Sequence, residues 1–227
     1  MSGLQPGADN QIHRAQERFK LPDGARQILL IRHGSSIGPT METLTFGEVT
    51  ITNPPLSADG LVQAEALARH LADEPLSRIF VTPLQRTQQT AAPLLAKLGL
   101  EPTVIAELRE VHLGDWEHSF HEHAAAGNPL VGRMFAEESW EVIPRAEPIA
   151  EFAGRLKSGI ETIASQIAAN TTVAAFTHAA VIAEICCQAT RSTPFAFMAP
   201  ENASITRLIV LGNGSWRLRS FNEVSHL

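Results

Sequence analysis

Short β-rich apolar runs alternate along the chain with longer stretches in which apolar residues recur every three or four positions. That alternation predicts an α/β domain on a mainly parallel sheet, a three-layer α/β/α sandwich. Strands are expected at residues 27–31, 78–82, 102–106, 172–177, 204–211 and 215–221. The first helix is expected in "SADGLVQAEALARHLAD", where Ser57 offers a capping oxygen and Leu61, Ala64, Leu67, Ala68 and Leu71 fall on one face. A second should run through "PLQRTQQTAAPLLAKLGL", with Pro83 at its opening, Gly99 at its stop and Pro93 inside it. Two more lie in "EPIAEFAGRLKSGIETIASQIAAN" and "AAVIAEICCQAT". Asn213 and Gly214 separate the last two strand-like runs and predict a two-residue hairpin turn, which gives the sheet an antiparallel edge. The stretch after Gly34 up to Pro55 is less predictable. The stretch 112–145 is helix-compatible, rich in histidine and aromatic residues, and reads as a helical lid.

Composition narrows the function classes. The chain has 227 residues, 44% of them hydrophobic, enough for one substantial core. The expected organisation is an N-terminal arm over residues 1–26, partly disordered or a short helix, followed by one domain over 27–227. The net charge of -6 and a pI near 5.8 leave no electrostatic footprint for nucleic acid, and no block of lysine and arginine suggests a membrane surface. Cys186 and Cys187 are adjacent and poorly placed to bridge each other, which favours a reducing compartment and a cytoplasmic location. No apolar run approaches membrane-spanning length, and the first 26 residues lack the apolar core of a secretory signal. A homodimer is compatible with all of this.

In open α/β sheets ligands bind beyond the carboxyl ends of the strands. Arg32 and His33 follow the first predicted strand, Arg86 opens the helix after the second, Glu110 follows the third and His178 the fourth. This inventory suits a phosphate monoester. Two arginine forks can clamp its oxygens, and of two histidines one can attack while the other, cationic, stabilises the equatorial oxygens. A carboxyl group of raised pKa can protonate the leaving alkoxide. Arg32 and Arg86 are the clamp and Glu110 the acid; the residue types alone do not say which histidine attacks. No metal or other cofactor is needed where the arginines and a histidine neutralise the charge.

The motifs that carry these residues resemble those of the histidine phosphatase superfamily, the phosphoglycerate mutase-like proteins. "LLIRHG" is similar to the family's opening motif, "PPLSADGLVQAEALARHL" to its Leu-Thr/Ser-x-x-Gly-x-x-Gln-Ala helix and "VTPLQRTQQTA" to its second arginine motif. "ELREVHLGDWE" resembles Leu-Arg-Glu-x-x-x-Gly-x-Trp-Glu, "FTHAAVI" the second histidine motif, and "NASITRL" with "FNEVSHL" the closing segments. The resemblance runs from Gln27 onward and implies that His33 is the nucleophile that becomes phosphohistidine. It further implies that Arg32, Arg86 and His178 form the phosphate pocket, and that Glu110 donates the proton. The short interval from Glu110 to His178 resembles the phosphatases of the family rather than its mutases. The expected activity is therefore metal-independent hydrolysis of a small phosphomonoester; a phosphoglycerate mutase-type transferase and a low-turnover phospho-ligand binding module are the alternatives.

Three departures bear on that expectation. Ala179 and Ala180 stand where the family usually has two glycines, although the Ala179 amide can still face an anion from a helix N-terminus. Arg145–Ala146–Glu147–Pro148 replaces a Gly-Gly-Glu-Ser segment. Ser35 and Ser36 follow Arg-His-Gly, where a hydroxyl can bond phosphate or cap a turn; Ser35 is taken as a phosphate ligand. Several residues have plainer readings. Arg109 reads as an ion-pair partner, and Trp116, Phe120, Phe135 and Trp140 as lid core. His118 and His121 lie one helical turn apart, a spacing that admits a metal, but no cysteine accompanies the cluster and it reads as lid surface. Asn202 and Ser204 are candidates for bonds that support the pocket, and His226 has no assigned role.

Overall fold

The computed structural model describes residues 19–38 and 40–227. Eight strands and six α-helices follow one another in the order β1 (Arg26–Arg32), β2 (Thr43–Phe46), β3 (Val49–Thr52), α1 (Ala58–His70), β4 (Leu76–Val81), α2 (Gln85–Leu98), β5 (Pro102–Val104), α3 (Phe120–Ala125), α4 (Pro129–Glu137), α5 (Ile149–Ser165), β6 (Thr172–Thr177), α6 (Ala179–Thr190), β7 (Ile205–Val210) and β8 (Trp216–Glu223). The main sheet has six strands in the order β5-β4-β6-β1-β7-β8. Its first four are mutually parallel, and β7 and β8 run antiparallel.

Strand alternation divides the core into two halves. Ile28 and Leu30 of β1, Val173 and Ala175 of β6 and Phe80 of β4 pack with Phe152, Leu156 and Ile160 of α5 and with Val181, Ile182 and Ile185 of α6. The intervening Leu29, Ile31, Ala174, Phe176, Ile79 and Val81 pack on the other face with Leu67 and Ala68 of α1 and Ala91 and Leu94 of α2. Both faces of these strands are covered, which is why they read as continuous apolar runs. Each fully buried aliphatic side chain contributes about 1.5–3 kcal/mol. The layered α/β/α arrangement with an antiparallel edge is thus the one the hydrophobic pattern predicts.

Local details differ from expectation in four places. The third strand stops at Val104 because the Ile105 amide bonds to the Val81 carbonyl and residues Ala106–Leu108 turn into a 3-10 helix. Helix α2 begins at Gln85, two residues after Pro83, because Asn53 Oδ1 accepts from the Gln85 amide (2.8 Å) and caps the helix from another segment. The β7–β8 turn has three residues, 212–214, rather than two: Gly214 N–H bonds to Leu211 O, Leu211 N–H bonds to Ser215 O, and Gly214 takes a left-handed φ of 79°. Within 34–55, the less predictable stretch, β2 and β3 form a separate hairpin.

Most of the expected N-terminal arm lies outside the described residues, but its end is fastened to the domain. Asn170 N–H donates to Ala25 O, Gly24 N–H donates to Asn170 Oδ1, and Ala25 is fully buried. Within 112–145 lie α3, α4 and two 3-10 turns at Gly114–Trp116 and Trp140–Val142. Only the first part of this segment faces the cavity described below; Met134 of α4, Trp116 and Trp140 are buried in the α5/α6 half of the core. No helix among the described residues is long and apolar enough to cross a membrane.

Candidate active site

Parallel pairing of β1 with β6 sets Arg32 opposite Thr177, so the residues that follow, His33 and His178, leave neighbouring strands at the same edge. Their rings lie 5.3 Å apart, tilted by 59°. Arg86 comes from the first turn of α2, and Glu110 from the segment after β5. All five residues read from the strand ends thus meet at one edge of the sheet. Arg32, His33, Arg86 and Glu110 line a cavity of about 280 Å³, closed outward by Ser36, Ile37, Thr52, Pro54, Leu113, Phe120 and the exposed His118 and His121. His178 sits beneath His33, fully buried.

The His33 ring is set by its own backbone. Nδ1 lies 2.7 Å from the Gly34 carbonyl, which only accepts, so Nδ1 carries the proton and Nε2 keeps a free lone pair. Burial, and then the cations of Arg86 and Arg32, hold the imidazole well below its ordinary pKa, so the ring is neutral. His33 N–H donates to Thr177 O (3.0 Å), and the Gly34 amide donates to Thr90 Oγ1 (2.9 Å), which in turn donates to Arg86 O (2.6 Å). Thr90 therefore couples the loop after β1 to the helix that carries Arg86.

Gly34 has a different task from the one its position beside an anion site suggests. A Cβ there would stand 2.7 Å from the Gly60 carbonyl, and one on Gly60 would run into Ser35 O, so the pair lets the end of β1 interlock with the start of α1. Ser35 is committed to the same junction. Its amide donates to Gln63 Oε1 (2.8 Å), and its carbonyl accepts from the Ser57 amide and hydroxyl. Ser36 lines the cavity, and Ser35, expected as a phosphate ligand, is not among the lining residues.

His178 bonds through Nε2 to Thr82 Oγ1 (3.0 Å), and its buried Nδ1 has no partner. Burial, followed by Arg86, His33, Arg155 and Arg32, keeps this ring well below its ordinary pKa too. Arg86 is pushed down to about 10 by burial, against the pull of Glu110 and Glu117. Arg32 is lowered as well, chiefly by burial, and its Nε is unpartnered. Each arginine spends part of its fork on a carbonyl: Arg86 Nη1 on Thr52 O (3.0 Å), Arg32 Nη1 on Pro200 O (2.5 Å). Arg32 Nε and His178 Nδ1 are thus buried without partners beside the cavity, where an anion is the kind of group that would satisfy them.

Glu110 is half-buried, and its desolvation raises its pKa from the ordinary carboxylate value despite the bond from the Val111 amide (3.0 Å) and the charges of Arg86 and Arg32. A carboxyl so poised can hold a proton and return it. Ala179 and Ala180 both lie within α6, so the backbone there has helical geometry that needs no glycine. Ala179 is not among the cavity-lining residues.

Sequence reading passed over the residues that hold this set in place. Arg155 of α5 donates to the carbonyls of Glu107 (2.6 Å), Arg109 (2.7 Å) and Glu110 (3.0 Å), and its other edge grips both oxygens of Glu147. Glu117 accepts from the Thr52 and Leu113 amides (2.9 Å each), tying β3 to the lid. Thr177 Oγ1 donates to Leu108 O (2.8 Å). The one usable signal was the threonine spacing in "RTQQT", which puts Thr87 and Thr90 on the face of α2 that carries Arg86 toward the sheet. Asn202 does support the pocket, donating from Nδ2 to His33 O (3.0 Å), whereas Ser204 does so through its carbonyl, which accepts from Arg32 N–H (3.2 Å). Arg109 pairs with Glu147, as expected. Phe135 is exposed instead of lid core, and Phe120 lines the cavity. Among the described residues no three histidines, cysteines or carboxylates gather in a metal-binding group; His123 stacks on Trp116 (4.2 Å).

Comparison with known proteins bears on the same residues. The family described as the histidine phosphatase superfamily, branch 1, matches residues 28–224. The chain belongs to the histidine phosphatase superfamily. Among curated members of this superfamily and their relatives, the chain is 33% identical over 152 residues to a PE-PGRS family protein, PE_PGRS11, of Mycobacterium tuberculosis, covering 64% of this chain and 26% of that one. It is 26% identical over 207 residues to phosphoglycerate mutase-like protein 4 of Arabidopsis thaliana, covering 88% and 86% of the two chains. It is 30% identical over 146 residues to the glucosyl-3-phosphoglycerate phosphatase of M. tuberculosis, covering 63% and 62%. The chain thus spans from about a quarter to most of the length of these relatives. The solved structure of the mycobacterial glucosyl-3-phosphoglycerate phosphatase superposes with a TM-score of 0.70 at 26% identity, over 88% of this chain and 100% of that one.

Proposed function

We propose that the protein is a metal-independent phosphomonoesterase that works through a phosphohistidine at His33. The observation that carries this reading is the His33 ring. Its Nδ1 proton is bound to the Gly34 carbonyl and its Nε2 lone pair is free, beside the buried Arg86 and the half-buried Arg32, whose Nε has no acceptor. Superfamily membership and the phosphatase names of relatives support it.

A substrate phosphoryl group sits between Arg32, Arg86 and His178. Its charge raises the proton affinity of His178, so Nδ1 of that ring donates to an equatorial oxygen. His33 Nε2 attacks phosphorus as the ester P–O bond breaks, and the Glu110 proton passes to the departing oxygen. The phosphoimidazole keeps its Nδ1–H on the Gly34 carbonyl. Water then attacks phosphorus, its proton goes to Glu110, the P–N bond breaks, and neutral His33 and inorganic phosphate are restored.

A His33→Ala protein should lose turnover of a generic aryl phosphate by about a thousandfold or more, and acid-quenched wild type should yield an acid-labile phosphoenzyme. Wild-type turnover in the variant would refute the reading. Hydrolysis to inorganic phosphate without conversion of 3-phosphoglycerate to 2-phosphoglycerate separates it from a mutase, and ordinary turnover separates it from a binding module.

A further inference from the structure

The C-terminal segment takes no part in the chemistry above, yet two of its side chains hold the loop that holds the nucleophile. The connection between α6 and β7 contains four non-glycine residues with left-handed φ: Arg191 (56°), Phe195 (62°), Ala199 (57°) and Ala203 (56°). Ala203 is fully buried, and a residue with a Cβ keeps that conformation only where its surroundings impose it.

Four bonds run from this loop to Arg32 and His33. The Ala203 amide (3.2 Å) and Asn202 Nδ2 (3.0 Å) both donate to the His33 carbonyl, while Pro200 O accepts from the Arg32 guanidinium and Ser204 O from the Arg32 amide. On its outer side the same loop is gripped twice. Asn222 Oδ1 accepts from the Glu201 amide (2.7 Å), and His226 Nε2 lies 3.0 Å from the Ala203 carbonyl. A carbonyl only accepts, so the His226 proton is on Nε2 and points at Ala203. The ring is kept in that orientation by stacking on His70 of α1 (4.9 Å, 22° between planes), and its Nδ1 is buried without a partner. One Ala203 peptide unit thus stands between the imidazole at the C-terminus and the main chain of His33.

We propose that His226 is a positioning residue for the nucleophilic step: its Nε2–H fixes the Ala203 carbonyl, and through the strained Ala203 it fixes the His33 backbone from which the ring's own Nδ1 bond is set. This rests on the reading that His33 attacks. The role needs a donor at Nε2, not merely a ring that fills space.

His226→Phe keeps the ring and its stacking but removes the donor, whereas His226→Gln keeps a donor and removes the ring. With an aryl phosphate, the Phe variant should lose about ten- to a hundredfold in kcat with KM changed less than about threefold, the scale expected when a reacting group is misplaced by a fraction of an ångström to an ångström. The Gln variant should recover most of that loss. A Phe variant at the wild-type rate, or a Gln variant as slow as Phe, overturns the proposal. If the Phe variant does not fold, the ¹⁵N-labelled wild type provides the test: the His226 Nε2–H signal should shift when orthovanadate fills the pocket, and a signal that does not move overturns it. His33→Ala assayed alongside separates the two readings, because turnover there removes the hydrolase mechanism whatever the His226 variants do.

Discussion

The floor and the rim of the cavity are built on opposite principles. On the floor, His33, Arg86, Thr82, Thr90, Thr177 and His178 are all buried, and each has at least one bond to the end of a strand or the start of a helix. On the rim, His118 and His121 are exposed, Ile37 is 43% exposed, and the apolar Phe120 is only half-buried. Charge on the floor is held by sheet geometry, which a phosphoryl group of any ester can use. In the proposed reaction the rim would meet the part of the substrate that differs from one ester to the next. Chemistry and selectivity are thereby placed in parts of the molecule with different rigidity.

The largest break in that contrast should come from Arg155, which fastens the acid segment to α5. Arg155 and Glu147 are 12% and 10% exposed, and burial of Glu147 is outweighed by the Arg155 bond and charge, so its carboxyl lies below the ordinary range. Arg155→Met should cost about 3 kcal/mol, because the partly buried Glu147 keeps only the long pair with Arg109 (3.9 Å) and the His112 amide while three carbonyls lose their donor. The urea midpoint should fall accordingly, and kcat should fall with it as Glu110 is freed. A variant as stable as wild type would mean that the floor is not held from α5.

A smaller, pH-dependent effect follows from keeping two histidines neutral. Burial, and then the neighbouring cations, lowers both His33 and His178 in the folded state, while in the unfolded chain each takes up a proton near the ordinary pKa of about 6.5. The unfolded state therefore binds more protons in acid. The stability they contribute is present above about pH 6.5 and is lost as pH falls below it, at up to about 1.4 kcal/mol per pH unit for each ring. Denaturation between pH 6.5 and 5 should show this slope in the wild type and a flatter one in the His33→Asn, His178→Asn double variant. Equal slopes would show that the floor does not hold its imidazoles neutral.

The floor was largely legible in the sequence because strand alternation and strand ends are local. Once Leu29 to Arg32 reads as a buried strand, the residue after it must emerge at the sheet edge, and the same holds for Thr177 and His178. What carried less signal was bonding across long separations. Arg155 sits in an ordinary amphipathic helix, and nothing in its neighbourhood announces that it serves carbonyls 45 to 48 residues away. Asn53 capping α2, and Gly60 receiving Gly34, are likewise products of tertiary contact. The β2–β3 hairpin was legible and passed over: "TLTFGEVTIT" alternates threonine with Leu44, Phe46, Val49 and Ile51 around Gly47 and Glu48, but each run is only four residues long.

The rim offers the mildest test and the one that most sharpens the comparison. His118 and His121 line the cavity beyond Phe120 and are exposed, so their removal leaves no buried group unpaired. A His118→Ala, His121→Ala double variant should therefore keep kcat for a small aryl phosphate within about twofold, since contacts equal in ground and transition state move KM alone. For larger phosphomonoesters, whose organic part reaches the rim, KM should change by up to about tenfold, and by different factors for polar and apolar esters. Measuring kcat and KM over a panel of sugar phosphates, phosphoglycerates, nucleotides and phosphopeptides reads both quantities at once. A uniform fall in kcat across the panel would place these histidines with the floor, and the division between general chemistry below and selectivity above would not hold. A loss confined to KM, graded by the ester, would locate selectivity in the segment that starts the lid.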